Sequence, residues 1–189
     1  MAREGGGRAD AQRNRQRLIE TARDMLADDG GKVPLESIAR AAGVGIGTLY
    51  RHFPTRDDLV EAVYRAELTT VCESAADLLA ALPARAALRA WMDRFADYVA
   101  AKREIADALR AVIASGAVTS AQARAALGGA VRRLLDAGAA EGTLRTDVRA
   151  EDVVVSLLGI FLACNTPDQR EQAGRMMDLL MDGLAAGKP

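Results

Sequence analysis

The chain has 189 residues, half of them apolar but only 4% aromatic, with 25 Lys and Arg against 26 Asp and Glu and a formal net charge of −1. That balance excludes a polybasic, tail-driven nucleic-acid binder and an acidic disordered chain, and the length allows one or two domains with a real core. Alanine fills 39 positions while Val, Ile and Thr are sparse, which favours helix over sheet.

Residues 1–10 are rich in Gly and Arg, lack apolar periodicity and are read as a disordered arm. From Gln12 onward Leu18, Ile19, Ala22, Met25 and Leu26 fall at helical spacing, and Gly30-Gly31 ends that helix. Pro34 suits the first turn of a short helix carrying Leu35, Ile38, Ala39 and Ala42. Gly43 closes it, and after Val44-Gly45 a third helix runs from Ile46 to His52. Beyond Pro54, Thr55 and Asp58 form a capping pair that opens a long helix reaching Leu82. Three further helices follow Pro83, marked by Trp91 to Val99, by Ile105 to Ile113 and by Leu127 to Leu135. The run from Val153 to Leu162 is apolar on nearly every side, which predicts burial from several directions. Thr166-Pro167-Asp168-Gln169 reads as an N-cap, a first-turn proline and a capping glutamine, opening a last helix rich in Met and Leu. No alternating strand pattern of useful length appears, so the expected fold is all-α, with about nine helices.

The N-terminus has no apolar signal region, and the longest nearly apolar run, 153–164, is far short of the roughly 20 residues a bilayer requires. Cys72 and Cys164 lie far apart and fit no metal or redox spacing. The expectation is a reduced cytoplasmic protein with no metal, no cofactor and no membrane association. His52 is the single histidine, so a Ser-His-Asp or His-metal centre would have to use it. It sits inside the short helices described next, which argues against an enzyme.

A short helix, a Gly-containing turn and a second short helix form a helix-turn-helix pattern, the geometry that lets one helix enter a major groove. Charge agrees. Residues 1–56 carry ten Lys and Arg against seven Asp and Glu, a net +3, which leaves −4 for the rest. The stretch from Ile38-Ala39 through Ala42-Gly43-Val44, then Gly47-Thr48-Leu49-Tyr50-Arg51-His52-Phe53 and Thr55-Arg56, closely resembles the DNA-binding signature of the TetR family of transcriptional regulators. Gly45 departs from it, standing where many members place Ser or Thr.

The resemblance implies a dimeric, ligand-responsive DNA-binding regulator, most often a repressor, acting on a palindromic double-stranded operator. By that resemblance Thr48, Tyr50, His52 and Arg56 face phosphates, Ile46, Gly47 and Arg51 lie toward base edges, and Lys32 is a further phosphate contact. Domain boundaries follow: an arm over 1–10, a DNA-binding domain over 11–54 and a helical ligand-binding and dimerisation domain over 55–189. The aromatic-rich segment of Trp91, Met92, Phe95, Tyr98 and Val99, with Cys72, Leu109, Val112, Ile113 and Leu127, is the candidate lining for a hydrophobic or amphipathic effector. The last two helices are the candidate homodimer interface, through Val154, Leu158, Phe161, Leu162, Met176, Met177, Leu180, Met181 and Leu184. The competing reading is a helical ligand-binding or partner-docking protein that binds no operator.

Overall fold

The computed structural model describes residues 4–28, 33–114, 116 and 119–187. Among these run nine α-helices: α1 (Glu4–Asp28), α2 (Leu35–Ala41), α3 (Ile46–His52), α4 (Arg56–Ala81), α5 (Ala84–Glu104), α6 (Ala106–Ala114), α7 (Ser120–Ala140), α8 (Ala150–Ala163) and α9 (Arg170–Gly183). A 3-10 turn, Pro167–Gln169, leads into α9, and the one β pairing among the described residues is an isolated bridge between Leu144 and Ala185. The all-α expectation holds. One boundary differs: α1 begins at Glu4, inside the stretch expected to be a disordered arm. A helix already nucleated by its packed middle adds one hydrogen bond for each residue it extends, so aperiodic sequence can continue it.

The described residues fall into two compact units, one of Met1–Glu67 with Ala100–Thr119 and one of Leu68–Val99 with Ser120–Pro189. In the first unit Leu18, Ile19, Ala22 and Leu26 of α1 are buried, as are Ile38 and Ala39 of α2, Leu49 of α3 and Phe53 just beyond it. Burying a Leu or Phe side chain contributes about 1.5–3 kcal/mol each, which sets these three helices into one core. The Arg15 guanidinium lies over the Phe53 ring at 5.2 Å and covers its outer face. The predicted capping pair forms in full. Thr55 N and Oγ1 donate to Asp58 Oδ2 at 2.8 and 2.7 Å, and Asp58 N donates back to Thr55 Oγ1 at 3.1 Å.

In the second unit the core is aromatic. Trp91 stacks on Phe95 at 5.6 Å, and Phe95 also meets Tyr98 at 6.0 Å and Phe161 at 5.9 Å. The buried Trp91 indole N–H donates to the Val71 carbonyl at 2.8 Å, which removes the cost of hiding that donor. The Glu141 carboxylate accepts from Ala84 N at 3.0 and 3.1 Å, placing negative charge at the N-terminus of α5. Three ion pairs join α5 to α9 in antiparallel register: Arg85–Asp182 at 3.1 Å, Arg89–Asp178 at 2.7 Å and Arg170–Asp97 at 2.8 Å. The second predicted cap also forms, with Gln169 Oε1 accepting from Asn165 N, Thr166 N and Thr166 Oγ1 at 3.0–3.3 Å.

Candidate nucleic-acid interface

The turn between α2 and α3 is made by a glycine in the left-handed region, Gly43 at φ 63°. Gly43 N donates to Arg40 O at 3.1 Å and Val44 N to Ala39 O at 2.9 Å, the paired bonds of a Schellman motif that satisfy the last carbonyls of α2. Val44 then buries its side chain, and the extended Gly45 starts α3 by accepting from Thr48 N at 2.8 Å and Leu49 N at 3.1 Å. A four-residue reversal thus fixes the crossing of the two helices.

Leu49, fully buried, pins the inner side of α3. With about 100° per residue, 47, 50 and 51 fall across the helix from it, and 46, three residues back, sits only about 60° round, at the margin of that side. The structure agrees: Ile46, Gly47, Tyr50 and Arg51 are exposed, while Thr48 and His52 are half-buried along one edge. The seven residues proposed from sequence on α3 and at the start of α4 therefore separate into an open face, an edge and one internal tie. That tie is Arg56. Its Nη1 donates to the Val33 carbonyl, joining the first turn of α4 to the segment before α2, so at least one face of this guanidinium is spent inside the protein. Lys32 lies outside the described residues. Arg40, exposed in the last turn of α2, was not among the residues proposed from sequence. Its placement directly before the Schellman turn was the available signal.

The two other proposed sites come out differently. On α8 and α9, Val154, Phe161, Met177 and Met181 are buried within the chain, as is Leu184 just beyond α9, so they build the subunit core and not a surface. Leu180 is half-buried. The outward residues are Leu158, Leu162 and Met176, joined by Val155 and Leu179, which the sequence reading missed. Val155, Leu158 and Leu162 recur at i, i+3 and i+7 as a continuous apolar stripe, with Leu162 79% and Leu179 66% exposed. Within the single chain the 153–162 run is thus buried through Val153, Val154, Leu157 and Phe161, while the flank of Val155, Leu158 and Leu162 is bare.

Of the candidate effector-lining residues, Trp91, Met92, Phe95, Tyr98 and Leu127 are buried in the second unit, Val99 is half-buried, and Cys72 is half-buried. Leu109 and Val112 are buried and belong to the first unit, but Ile113 is 43% exposed and turns to solvent, against expectation. It follows Val112 by one residue on α6, and a single step of a helix carries a side chain off the buried face. Burial, then the neighbouring Glu73 charge, push the Cys72 thiol up to about 11, so it is no nucleophile at neutral pH. Burial lowers the ammonium pKa of Lys102, which lies over the Tyr64 ring at 5.5 Å. Among the described residues no group of three or more His, Cys, Asp or Glu is placed to hold a metal ion, and no helix is long and apolar enough to cross a membrane.

Comparison with known proteins places both parts of the chain. Residues 18–63 match the family model for bacterial regulatory proteins of the tetR family, and residues 83–186 match the model for the SbtR-like transcriptional regulator C-terminal domain. The TetR transcriptional regulator SCO0520 from Streptomyces coelicolor is 48% identical, covering 92% of this chain and 99% of that one, with a TM-score of 0.82. A TetR transcription regulatory protein from Mycobacterium vanbaalenii is 34% identical over 94% of this chain and 98% of that one, with a TM-score of 0.73. Among curated relatives, an HTH-type transcriptional regulator of Staphylococcus aureus is 40% identical over 62 residues, 32% of this chain and 34% of the relative. The match thus spans about a third of the length of those curated relatives.

Proposed function

The chain belongs to the TetR family of bacterial transcriptional regulators, and from that premise we propose that it is a homodimeric repressor released from a palindromic operator by a hydrophobic or amphipathic small molecule. DNA-binding regulation of transcription is what the family does, and its members are not enzymes. The observation that carries the reading is the open face of α3: Tyr50 and Arg51 stand exposed at the end of a motif whose other side is locked into a core. Tyr50, with Thr48 and His52 on the edge, holds the phosphate backbone, and Ile46, Gly47 and Arg51 meet base edges.

Residues 11–54 form the DNA-reading domain and 55–189 the effector and dimerisation domain. A single recognition helix covers too few base pairs for specificity, so two copies act together on half-sites about 34 Å apart. The bare stripe of Val155, Leu158 and Leu162 with Met176 and Leu179 supports a self-complementary contact between two subunits, since an apolar strip of this kind is costly to leave in water. Effector binding near the Trp91–Phe95 cluster favours a dimer whose recognition helices no longer match that spacing, and α4, which runs from Arg56 to Ala81, is the connecting element.

Gel-shift titration against the promoter regions of the adjacent genes tests the reading. A retarded complex that competes poorly with random duplex is the expected result. Binding that random duplex abolishes equally well would refute operator recognition. An effector that saturates Trp91 fluorescence without altering DNA affinity would refute the release step.

A further inference from the structure

The outward arc of α3 carries only Ile46, Gly47, Tyr50 and Arg51, about 140° of the helix circumference. Its chemistry is narrow. Ile46 is 40% exposed although it is purely aliphatic. The glycines flanking it leave the space around it open: a Cβ at Gly47 would meet nothing within 4 Å, and one at Gly45 only the Thr48 hydroxyl at 4.0 Å. Ile46 therefore leads the helix as a lone hydrocarbon knob, and the bare backbone beside it lets that knob approach a groove floor closely. Arg51 is the single guanidinium of the arc, exposed, and its side chain makes neither a hydrogen bond nor an ion pair among the described residues. The arc holds no carboxamide, which would pair with adenine, and no carboxylate, which would accept from cytosine.

We infer that α3 reads its half-site with two letters: a thymine sensed by its C5-methyl group against Ile46, and a guanine held through O6 and N7 by Arg51. At the Ile46 position the base pair is recognised by shape alone, with no hydrogen bond from α3. Tyr50, between the two on the arc, has a phenol suited to phosphate or sugar and adds no third base. Adenine and cytosine enter the operator as partners of the two bases read, or through duplex shape. This rests on the DNA-binding reading above and assigns the bases that reading leaves open.

The full-length protein is used to select half-sites from a randomised duplex library. The winning duplex is then rebuilt with deoxyuridine for each thymidine and 7-deazaguanine for each guanosine in turn, and titrated with wild type, Ile46→Ala and Arg51→Ala. Both side chains are exposed, so unchanged circular dichroism and melting are expected of the variants. One thymidine per half-site should lose about three- to fivefold in affinity when its methyl is removed, the worth of one buried methyl group. That loss should vanish in Ile46→Ala. One guanosine should lose about tenfold when N7 is replaced, the loss of one charge-assisted hydrogen bond, and that effect should vanish in Arg51→Ala. Uniform tolerance of deoxyuridine, or a methyl effect that persists in Ile46→Ala, would overturn the thymine assignment. A 7-deazaguanine effect that persists in Arg51→Ala, or none at all, would overturn the guanine assignment. If no sequence is enriched, the DNA-binding reading fails and the two-letter assignment falls with it.

Discussion

Replacing Leu162 with Asp tests the dimer face without touching the subunit core. Leu162 is 79% exposed in the single chain, so its contribution to subunit folding is small and its loss should leave the subunit's own stability almost unchanged. If the stripe is the interface, nearly all of that exposed surface disappears on association. Full burial of a leucine contributes about 1.5–3 kcal/mol, so four-fifths of it is about 1.2–2.4 per copy. A twofold contact uses the residue twice, giving roughly 2–5 kcal/mol for each dimer. At 1.4 kcal/mol per factor of ten, dimerisation should weaken roughly 30- to 3000-fold before any cost of burying the new carboxylate is added. Sedimentation velocity over a concentration series reads this directly, as a shift from dimer to monomer at micromolar protein. Leu157→Ala is the contrasting control: Leu157 is fully buried one position before Leu158, and its truncation should cost about 2–5 kcal/mol in unfolding. A Leu162→Asp protein that remains dimeric at wild-type concentrations would refute the assignment of this face.

Three further outcomes follow from local geometry. Gly43→Ala forces a side chain into φ 63° at the turn before α3 and should cost about 1–2 kcal/mol in urea unfolding, with a parallel loss of operator affinity; unaltered stability would contradict the turn. A Cβ at Gly138 would overlap the Leu144 side chain, so Gly138→Ala should cost about 1–3 kcal/mol in the wild-type background and less in a Leu144→Ala background, a difference read from a double-mutant cycle of unfolding free energies. Cys72, with its thiol pushed up to about 11, should resist thiol reagents at pH 7 in the folded protein and react as pH rises toward that value, whereas the unfolded chain should react near pH 8.5; rapid labelling of folded protein at pH 7 would contradict its burial.

The parts of the fold legible in the sequence are those governed by local rules. Gly43 and Pro54 bracket the short third helix, and Ile46–His52 was bounded correctly because a left-handed position and a proline both act on their immediate neighbours. Thr55 with Asp58, and Thr166 with Gln169, form the caps their spacing announced. Phase was not legible where every residue is apolar. In Val153-Val154-Val155 nothing in the side chains says that 153 and 154 turn inward while 155 stays bare. That choice is made by packing against other helices of the unit, chiefly α7 and α9, at positions distant in sequence. The same limit separated Leu179 from Leu180 and turned Ile113 outward. Arg56 shows a second limit. Its partner is the backbone carbonyl of Val33, and a carbonyl 23 residues away carries no sequence signature, so a residue read as a phosphate contact is first a clamp on the α2 approach.

The central claim is that the open face of α3, presented twice by a dimer, reads DNA. Fluorescence anisotropy of a selected palindromic duplex, titrated with wild type and with Tyr50→Ala/Arg51→Ala at several salt concentrations, tests it most directly. The account predicts one dimer per duplex and affinity falling steeply with salt. It also predicts that the double variant loses specificity for the palindrome over random duplex while its fold and dimerisation are kept. A double variant that discriminates the palindrome as well as wild type would contradict it.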